Sequence, residues 1–346
     1  MKHFASKLRT RGLFASLVLT LLATATGCDA FRSLRGNGGM TAQGRPYELI
    51  IVSGHNTWNS PLGDTLRSVF TAPVAYLAAD TEPLFDVLRI NEQGYTGTIA
   101  QHRNILEIAL SPELTQASAA VRYDVTARPQ IVVTLQGPSQ EALTDYLSEH
   151  RAELVQVFEQ AERDRAIRFA EQYFAPEVSR VAAERFGVEM QVPRGYIVAA
   201  SQPDFVWARY EYPQASQGFF LYSYPYEGPQ SLTPEALVAA RNKFAARIPG
   251  PSDGSYMTTS EVIPTDYRLF KLEGRTWCEL RGFWDVAGDF MGGPFVSFTT
   301  VDKRTNRVFT LDGYIYSPKL HKRNFLRGVE HLLYSVKFPD EAPQHE

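Results

Sequence analysis

The first 28 residues decide which part of this chain can fold as a globular body. Four basic residues and no acidic residue precede an apolar run, LFASLVLTLLA, at positions 13–23. Such a run is too short to cross a hydrocarbon core of about 30 Å as a helix, which takes roughly 20 residues. A basic segment followed by a short apolar segment is typical of a secretory signal peptide. We therefore predict that residues 1–27 are removed and that the folded body lies downstream.

The end of the apolar run predicts lipid attachment. The small residues Ala25, Thr26 and Gly27 directly precede Cys28, an arrangement that resembles a lipobox, with Ala25 where leucine is commoner. A diacylglycerol on the Cys28 thiol would anchor the protein, because each buried methylene group contributes about 0.8 kcal/mol. An ordinary signal peptide followed by a chance cysteine is the alternative. We expect an envelope protein that is held to a membrane through this lipid.

Charge and cysteine content argue against a nucleic-acid-binding protein and against a protein held together by disulfide bonds. The chain has 35 basic and 38 acidic residues, so removal of four basic residues with the signal peptide leaves a net charge of about −7. A negative net charge argues against a nucleic-acid partner. Of the two cysteines, Cys28 would carry the lipid, so Cys278 has no intramolecular disulfide partner. A hydrophobic content of 44% is typical of a globular chain.

Apolar periodicity predicts an α/β (α+β) fold made of two packed α/β units. Strand-like runs and a helix opened by Ser60 and Pro61 occupy the first unit, which closes with a long helix beginning near residue 139. The second unit alternates in strand fashion, with helices at about 234–247 and 324–334, and predicts a sandwich with a largely antiparallel sheet. The predicted boundaries are a tether at 28–46, units at 47–187 and 188–338, and a tail at 339–346.

Segments along the mature chain resemble an uncharacterised lipoprotein family of the Bacteroidota, domain of unknown function 4837. They include NTWNSPLGDTLRSVF, PGPSDGSYM, ELRGFWDV and GDFMGGPFVSFTTVD. The resemblance implies a Gram-negative envelope lipoprotein of the outer membrane and implies no activity. The second half is also similar, in its order of elements, to PsbP-like α/β sandwiches, which serve mostly as binding or assembly modules. A shared fold does not by itself give a function.

No motif in the sequence indicates a catalytic or metal site. The histidines lack the spacing of metal ligands, and no Gly-x-Ser-x-Gly motif is present. Cys278 lies alone in a predicted strand, a pattern typical of a buried structural thiol. We therefore predict no metal ion and no cofactor.

Aromatic and arginine residues on predicted strands form a candidate binding surface. Alternation places Arg209 and Glu211 on one face of their strand, and Glu279 and Arg281 on one face of theirs. If the two strands were neighbours, these side chains would form cross-strand ion pairs. The set indicates either a core with a salt-bridged outer face or a partner-binding surface, where Tyr, Trp and Arg are enriched. The candidate surface residues are Trp207, Arg209, Tyr224, Trp277, Arg281 and Trp284.

Two turn-rich segments form a candidate ligand pocket. They are PGPSDGS at 249–255 and DFMGGP at 289–294. The paired glycines permit positive φ and close backbone approach, which fits either a hairpin turn or a ligand loop. The candidate ligand residues are Asp253, Ser255, Asp289, Gly292 and Gly293.

Three functional hypotheses follow from these features. The leading hypothesis is a non-enzymatic accessory that binds another envelope protein in outer-membrane assembly or maintenance. The second is a lipoprotein that binds a glycan, peptide or lipid between the two loops. The third and least favoured is a hydrolase whose site is assembled across the two units.

Overall fold

The computed structural model describes residues 39–77 and 81–339. The predicted signal peptide, the predicted lipid-attachment residue Cys28 and most of the predicted tether lie outside these residues. Within the described ranges, no helix combines the length and the apolar character needed to cross a membrane.

The first unit is built on a five-stranded sheet in the order β3-β2-β4-β7-β5. Neighbouring strands are parallel except β5, which is antiparallel to β7, and β1 and β6 form a separate small pair. The strands are β1 Met40–Thr41, β2 Glu48–Val52, β3 Asp86–Ile90, β4 Asn104–Leu110, β5 Ser118–Tyr123, β6 Ala127–Arg128 and β7 Ile131–Gly137. The helices are α1 His55–Trp58, α2 Pro61–Phe70, α3 Gly97–Ala100, α4 Gln140–Glu149 and α5 Arg151–Gln172.

Helices α2, α4 and α5 cover one face of this sheet. The predicted start of α2 is confirmed, with Ser60 at the N-cap and Pro61 in the first turn. Leu66, Leu143 and Phe158 are fully buried in the resulting core. Strand β2 is buried along its whole length, which explains the continuous apolar run LIIV at 49–52.

The predicted long closing helix is divided into three helices, α4, α5 and α6, the last spanning Pro176–Phe186. Proline begins α6 because its ring cannot continue the preceding helix, and Gly187 ends α6 at a φ of 65°, a conformation that glycine adopts readily. Val178 and Ala182 of α6 pack in the core of the second unit. By its packing α6 therefore belongs with the second unit, although the predicted boundary placed it with the first.

The second unit is an eight-stranded, wholly antiparallel sheet flanked by helices, which confirms the predicted sandwich. Its strand order is β11-β13-β14-β15-β10-β9-β8, with β12 also paired to β13. The strands are β8 Ile197–Gln202, β9 Phe205–Glu211, β10 Ser216–Pro225, β11 Tyr256–Thr259, β12 Asp266–Leu272, β13 Arg275–Ala287, β14 Gly292–Asp302 and β15 Arg307–Tyr316. The remaining helices are α7 Pro234–Ala245 and α8 Arg323–Tyr334.

Helices pack on both faces of the second sheet. On β10, Phe219 and Leu221 point into the core beneath α6 and α8, whereas Phe220 and Tyr222 point into the core beneath α7. Helix α7 has 12 residues and is about 18 Å long, while β13 has 13 residues and spans about 44 Å. Helix α7 is therefore too short to cover its face, and one end of that face stays open.

The two units are joined through the start of α8. The Glu82 carboxylate, from the first unit, accepts hydrogen bonds from the backbone N–H groups of Lys322 and Arg323. The N-cap residue of α8 supplies no side-chain cap of its own. Arg323 also forms an ion pair with Asp86 at 2.8 Å. The first unit thus caps a helix of the second unit.

Candidate functional site

The open end of the α7 face forms a cleft of 640 Å³, which we call the sheet cleft. This volume lies within the roughly 300–1,000 Å³ of small-ligand sites. Trp207 from β9, Trp284 from β13 and Tyr314 from β15 form its floor. Its walls and rim include Arg209, Glu211, Tyr212, Ile248, Pro249, Gly250, Pro251, Met257, Met291, Tyr316, Pro318 and Lys319.

The floor is rigid because its polar atoms already have partners inside the protein. The Trp207 indole N–H donates to the Tyr314 hydroxyl oxygen at 2.8 Å, and the Trp284 indole N–H donates to the Ile315 carbonyl oxygen at 3.1 Å. The Trp284 and Tyr314 rings pack edge to face with centroids 5.6 Å apart. Burial raises the pKa of Tyr314 far above its usual value, so the phenol stays neutral. The polar atoms of the floor are therefore already used inside the protein, and the rings form a packed base to the cleft.

Two glycines allow these rings to lie against the sheet. A Cβ on Gly218 would stand 2.6 Å from the Tyr314 hydroxyl oxygen, and one on Gly293 would stand 2.1 Å from the Ile315 carbonyl oxygen. Gly292 and Gly293 are paired residues of β14, and the positive φ of this hairpin, 88°, belongs to Gly288. Gly292 and Gly293 therefore allow close approach of the neighbouring backbone, as expected. The expectation that they adopt positive φ is wrong.

The rim of the sheet cleft carries charges of both signs. Arg209 and Glu211 form an exposed ion pair with 3.4 Å between Nη1 and Oε1, and Lys319 adds a second cation. The Arg209 guanidinium also lies 5.5 Å from the centroid of the Trp207 ring. An exposed ion pair of this kind contributes at most about 1 kcal/mol. Its members can therefore exchange partners with a bound ligand at little cost.

The two predicted loops meet beside the cleft. The Ser252 hydroxyl donates to the Asp289 carboxylate, and the Ser252 N–H donates to the Ser255 hydroxyl oxygen at 3.0 Å. The hydrogen bond from Ser252 lowers the pKa of Asp289. Pro249, Gly250, Pro251 and Met291 line the cleft, whereas Asp253 is exposed and the other predicted ligand residues lie outside the lining, namely Ser255, Asp289, Gly292 and Gly293. The Ser252–Asp289 hydrogen bond thus joins the two loops, and Ser255 closes the turn within the first loop.

The predicted binding surface is divided between separate places in the second unit. Trp207, Arg209 and Trp284 meet in the sheet cleft. Trp277 is buried in the core on the opposite face of the sheet. Tyr224 lies outside the cleft lining, and its hydroxyl donates to the Ser231 carbonyl oxygen at 3.3 Å. These residues do not form one exposed surface.

The predicted cross-strand ion pairs between β9 and β13 are wrong. Three strands, β10, β15 and β14, separate β9 from β13. Glu279 instead binds Arg268 and Arg281 on its own side of the sheet, with closest distances of 2.7 and 2.6 Å. Arg281 continues this network to Glu330 of α8, and the cations hold the pKa of Glu330 well below its usual value against the effect of burial.

A second cleft of 410 Å³, the seam cleft, lies between the two units. Its lining includes Tyr47, Glu162, Arg165, Tyr196 and His331. Burial lowers the pKa of His331 to about 3, so its ring is neutral, and its Nε2 lies 3.1 Å from the Tyr47 hydroxyl oxygen. Glu162 is an acceptor for Arg103, Asn104 and the Tyr47 N–H. These polar groups mostly satisfy one another, as expected of a structural contact between units.

The described ranges contain no group of three or more His, Cys, Asp or Glu residues placed to hold a metal ion. Cys278 is buried and has a free thiol, as the sequence predicts. Burial raises the pKa of its thiol, which keeps it protonated.

Comparison with known families divides the chain at the start of α6. Residues 175–335 match the family model described as Domain of unknown function (DUF4837). This match spans the second unit from α6 to α8. Residues 42–171 match a different family model, Domain of unknown function (DUF8532). The predicted resemblance to DUF4837 is thus confirmed for the second unit, while the first unit matches another family.

Two further comparisons add little about function. No curated protein matches the chain. The crystal structure of LpqN, a protein involved in cell envelope biogenesis of Mycobacterium tuberculosis, aligns with 43% of this chain and 81% of its own, at 14% identity and a TM-score of 0.26. Similarity this low carries no argument about the role of the DUF4837 domain.

Proposed function

We propose that this chain is an exported lipoprotein of the cell envelope that binds a short peptide segment of another envelope component in the sheet cleft. The observation that carries the proposal is the cleft itself, an apolar floor of ordered rings under two joined loops, at an open end of the DUF4837 sheet. Concave sites with an apolar lining and a few polar groups are the usual form of ligand sites. The role is binding, without chemistry on the ligand.

The exposure of the floor favours a peptide over a glycan. Only 8% of Trp207 and 1% of Trp284 is exposed, so neither indole offers the free ring face on which a sugar would stack. The partly exposed apolar residues Pro251, Met291 and Tyr316 instead suit contact with an aliphatic side chain. The acidic and basic rim groups suit the charged groups of a polypeptide. A peptide segment provides both features at once.

Calorimetry with two short peptides tests this proposal. The mature lipidated chain in lipid nanodiscs is titrated with Gly-Gly-Leu-Gly-Gly and with pentaglycine, both with free termini. Burial of one leucine side chain contributes about 1.5–3 kcal/mol, which corresponds to a 10- to 150-fold tighter dissociation constant for the leucine peptide. Equal affinities for the two peptides, or no binding of either, would contradict the proposal.

Adjacent residues give matched variants for this titration. Met291 lines the cleft, whereas the side chain of Phe290 is fully exposed and is not part of the lining. We expect Met291→Ala to weaken binding of the leucine peptide several-fold and Phe290→Ala to leave it unchanged. Loss of binding in both variants would indicate that the hairpin tip, and not the cleft, holds the peptide.

Lipid anchoring at the outer membrane is part of the proposal and has its own test. The basic segment, the apolar run and the small residues before Cys28 support it. We expect the protein to sediment with outer-membrane vesicles on a density gradient, and Cys28→Ser to release it into the soluble fraction. Retention of Cys28→Ser in the membrane would refute lipid anchoring at this cysteine.

A further inference from the structure

The second sheet has two ends that differ in the chemistry of their loops. Strands β9, β13 and β15 finish at one end, where β8, β10, β11 and β14 begin, as the pairings of Ser216 with Glu211 and Tyr316 and of Tyr256 with Ala287 show. We call this the cleft end, because the loops beside it line the sheet cleft. We call the opposite end, which carries the β12–β13 and β14–β15 turns, the far end.

Four large apolar residues are exposed at the cleft end. Phe290, at the tip of the hairpin between β13 and β14, is completely exposed. Ile197 begins β8, Tyr256 begins β11 and Leu320 follows β15, and all three are exposed. The turns at the far end carry polar and charged residues instead, namely EG at 273–274 and KRTN at 303–306. Exposed apolar surface therefore lies at one end of the sheet.

The described chain also starts beside the cleft end. Ala42, directly after β1, lines the seam cleft together with Pro193, in the turn before β8, and Gln217, near the start of β10. Phe169 of α5 lines the same cleft and is exposed, so it adds apolar surface beside the chain start. The segment that leads to the lipid-attachment residue thus leaves the body at the end with the apolar loops.

The length of that segment determines which end of the sheet lies near the membrane. Cys28 and Gly39 are 11 positions apart, so the chain between them spans at most about 40 Å. Strand β13 extends about 44 Å from the far end to the cleft end. The segment is therefore too short to pass along the whole sheet, and a lipid on Cys28 holds the cleft end closer to the membrane than the far end.

The charges of the loops at the cleft end are balanced. Arg194 and Lys319 are their basic residues, and Asp253 and Asp289 are their acidic residues. Binding of a protein to a bilayer surface increases with the apolar area buried and with attraction to anionic lipids. Balanced loops favour contact through the apolar side chains, without a requirement for anionic lipids.

We infer that the cleft end contacts the bilayer that holds the lipid anchor, with the Phe290 side chain inserted among the lipids. This inference rests on the proposed anchoring at Cys28. Burial of the exposed ring in the boundary between headgroups and acyl chains removes its apolar area from water. The same orientation places the sheet cleft at the membrane surface, beside the juxtamembrane segments of other envelope proteins.

Nitroxide labels test this inference in phosphatidylcholine nanodiscs that each carry one copy of the lipidated chain. Phe290→Cys and Lys303→Cys are labelled in a Cys278→Ala background. Lys303 is the matched control, because it is exposed in a hairpin turn at the far end. Collisions of each label are measured with oxygen, which is enriched among acyl chains, and with a water-soluble nickel chelate. We expect a severalfold higher oxygen-to-nickel ratio at residue 290 than at residue 303. Equal ratios, or a higher ratio at residue 303, would overturn the inference.

A label at Leu320→Cys tests whether Phe290 supports the contact. Adding Phe290→Ser should lower the oxygen-to-nickel ratio at residue 320 severalfold. Adding Val262→Ser should leave it unchanged, because Val262 is also highly exposed but lies in the loop between β11 and β12. Equal effects of the two serine substitutions would contradict the role of Phe290.

Co-purification with the nanodiscs measures the anchor separately from the labels. The lipidated chain should elute with the discs, and Cys28→Ser should elute apart from them. If this holds and the label at residue 290 is still open to nickel, the inference fails while the anchor stands. If Cys28→Ser stays on the discs, the anchor on which the inference rests is refuted, and the inference is overturned with it.

Discussion

Replacing Arg241 by leucine should destabilise this protein more than any exposed arginine substitution. Arg241, on α7, and Asp312, on β15, are both completely buried and form an ion pair at 2.8 Å between Nε and Oδ2, with a second contact of 3.3 Å. Arg241 also donates to the Thr259 hydroxyl at 3.0 Å and stacks on Phe295 at 3.7 Å. Its removal leaves the buried Asp312 carboxylate with the Ser297 hydrogen bond but without the Arg241 counter-charge.

The cost can be estimated from what remains after the substitution. Breaking a buried ion pair by removing one partner costs about 3–5 kcal/mol, because the remaining charge stays desolvated. This is a large part of the roughly 5–15 kcal/mol by which a domain is typically stable. Burial raises the pKa of Asp312 while Arg241 lowers it, so loss of the arginine should raise that pKa further. Protonation of Asp312 at low pH should then reduce the difference between variant and wild type.

Urea unfolding followed by tryptophan fluorescence measures this cost. Arg247→Leu is the matched control, because Arg247 pairs with Asp204 at 2.7 Å in a partly exposed position. We expect Arg241→Leu to lower the free energy of unfolding by about 3–5 kcal/mol and Arg247→Leu by no more than about 1 kcal/mol. Removing both members, in Arg241→Leu with Asp312→Leu, should recover most of the loss. Equal effects of Arg241→Leu and Arg247→Leu on the free energy of unfolding would refute the reasoning.

Three further predictions concern other parts of the molecule. Glu82→Ala should destabilise the second unit by about 0.5–2 kcal/mol in urea unfolding, although Glu82 lies in the first unit, because it removes the cap of α8; an unchanged midpoint would contradict this. Burial lowers the pKa of His331 to about 3, so at a pH below about 6.5 the unfolded chain binds a proton that the folded chain does not. The free energy of unfolding therefore decreases as the pH decreases. Between pH 6.5 and 5 the loss of stability should be about 1.6 kcal/mol larger in wild type than in His331→Gln, as urea titrations at both pH values will show; equal losses in the two proteins would disprove the assignment. Cys278 should react with a disulfide reagent at least a hundredfold more slowly in the folded than in the unfolded protein, because burial raises the pKa of its thiol; comparable rates would mean that the site opens readily.

Local features of the fold could be predicted because they depend on short-range physics. Ser60 with Pro61 marks the start of α2, and Gly187 marks the end of α6, because each satisfies or ends a helix within one turn. The apolar run of β2 predicts a buried strand, and the strand is buried along its whole length. The antiparallel sandwich of the second unit follows from alternating strands joined by short turns.

The composition of the candidate site could be predicted only in part. Trp277 and Trp284 lie an odd number of positions apart on one continuous strand, so alternation alone places them on opposite faces of the sheet. The predicted binding surface wrongly combined the two residues. Trp207 and Trp284 meet in the cleft because both point towards α7, which depends on a strand order that local patterns do not encode. The presence of Arg241 among the apolar residues on the buried side of α7 is the sequence feature that could have indicated a buried ion pair.

Methyl NMR of methionine-labelled protein tests the central claim most directly. Of the five methionines, Met257 and Met291 line the sheet cleft, while Met190 lies in the core on the other side of the sheet. Addition of Gly-Gly-Leu-Gly-Gly to the lipidated chain in nanodiscs should shift the Met257 and Met291 methyl signals and leave Met190 unchanged, with no shift on addition of pentaglycine. Unchanged Met257 and Met291 signals at saturating peptide, or shifts confined to Met190, would contradict the assignment of the cleft as a peptide site.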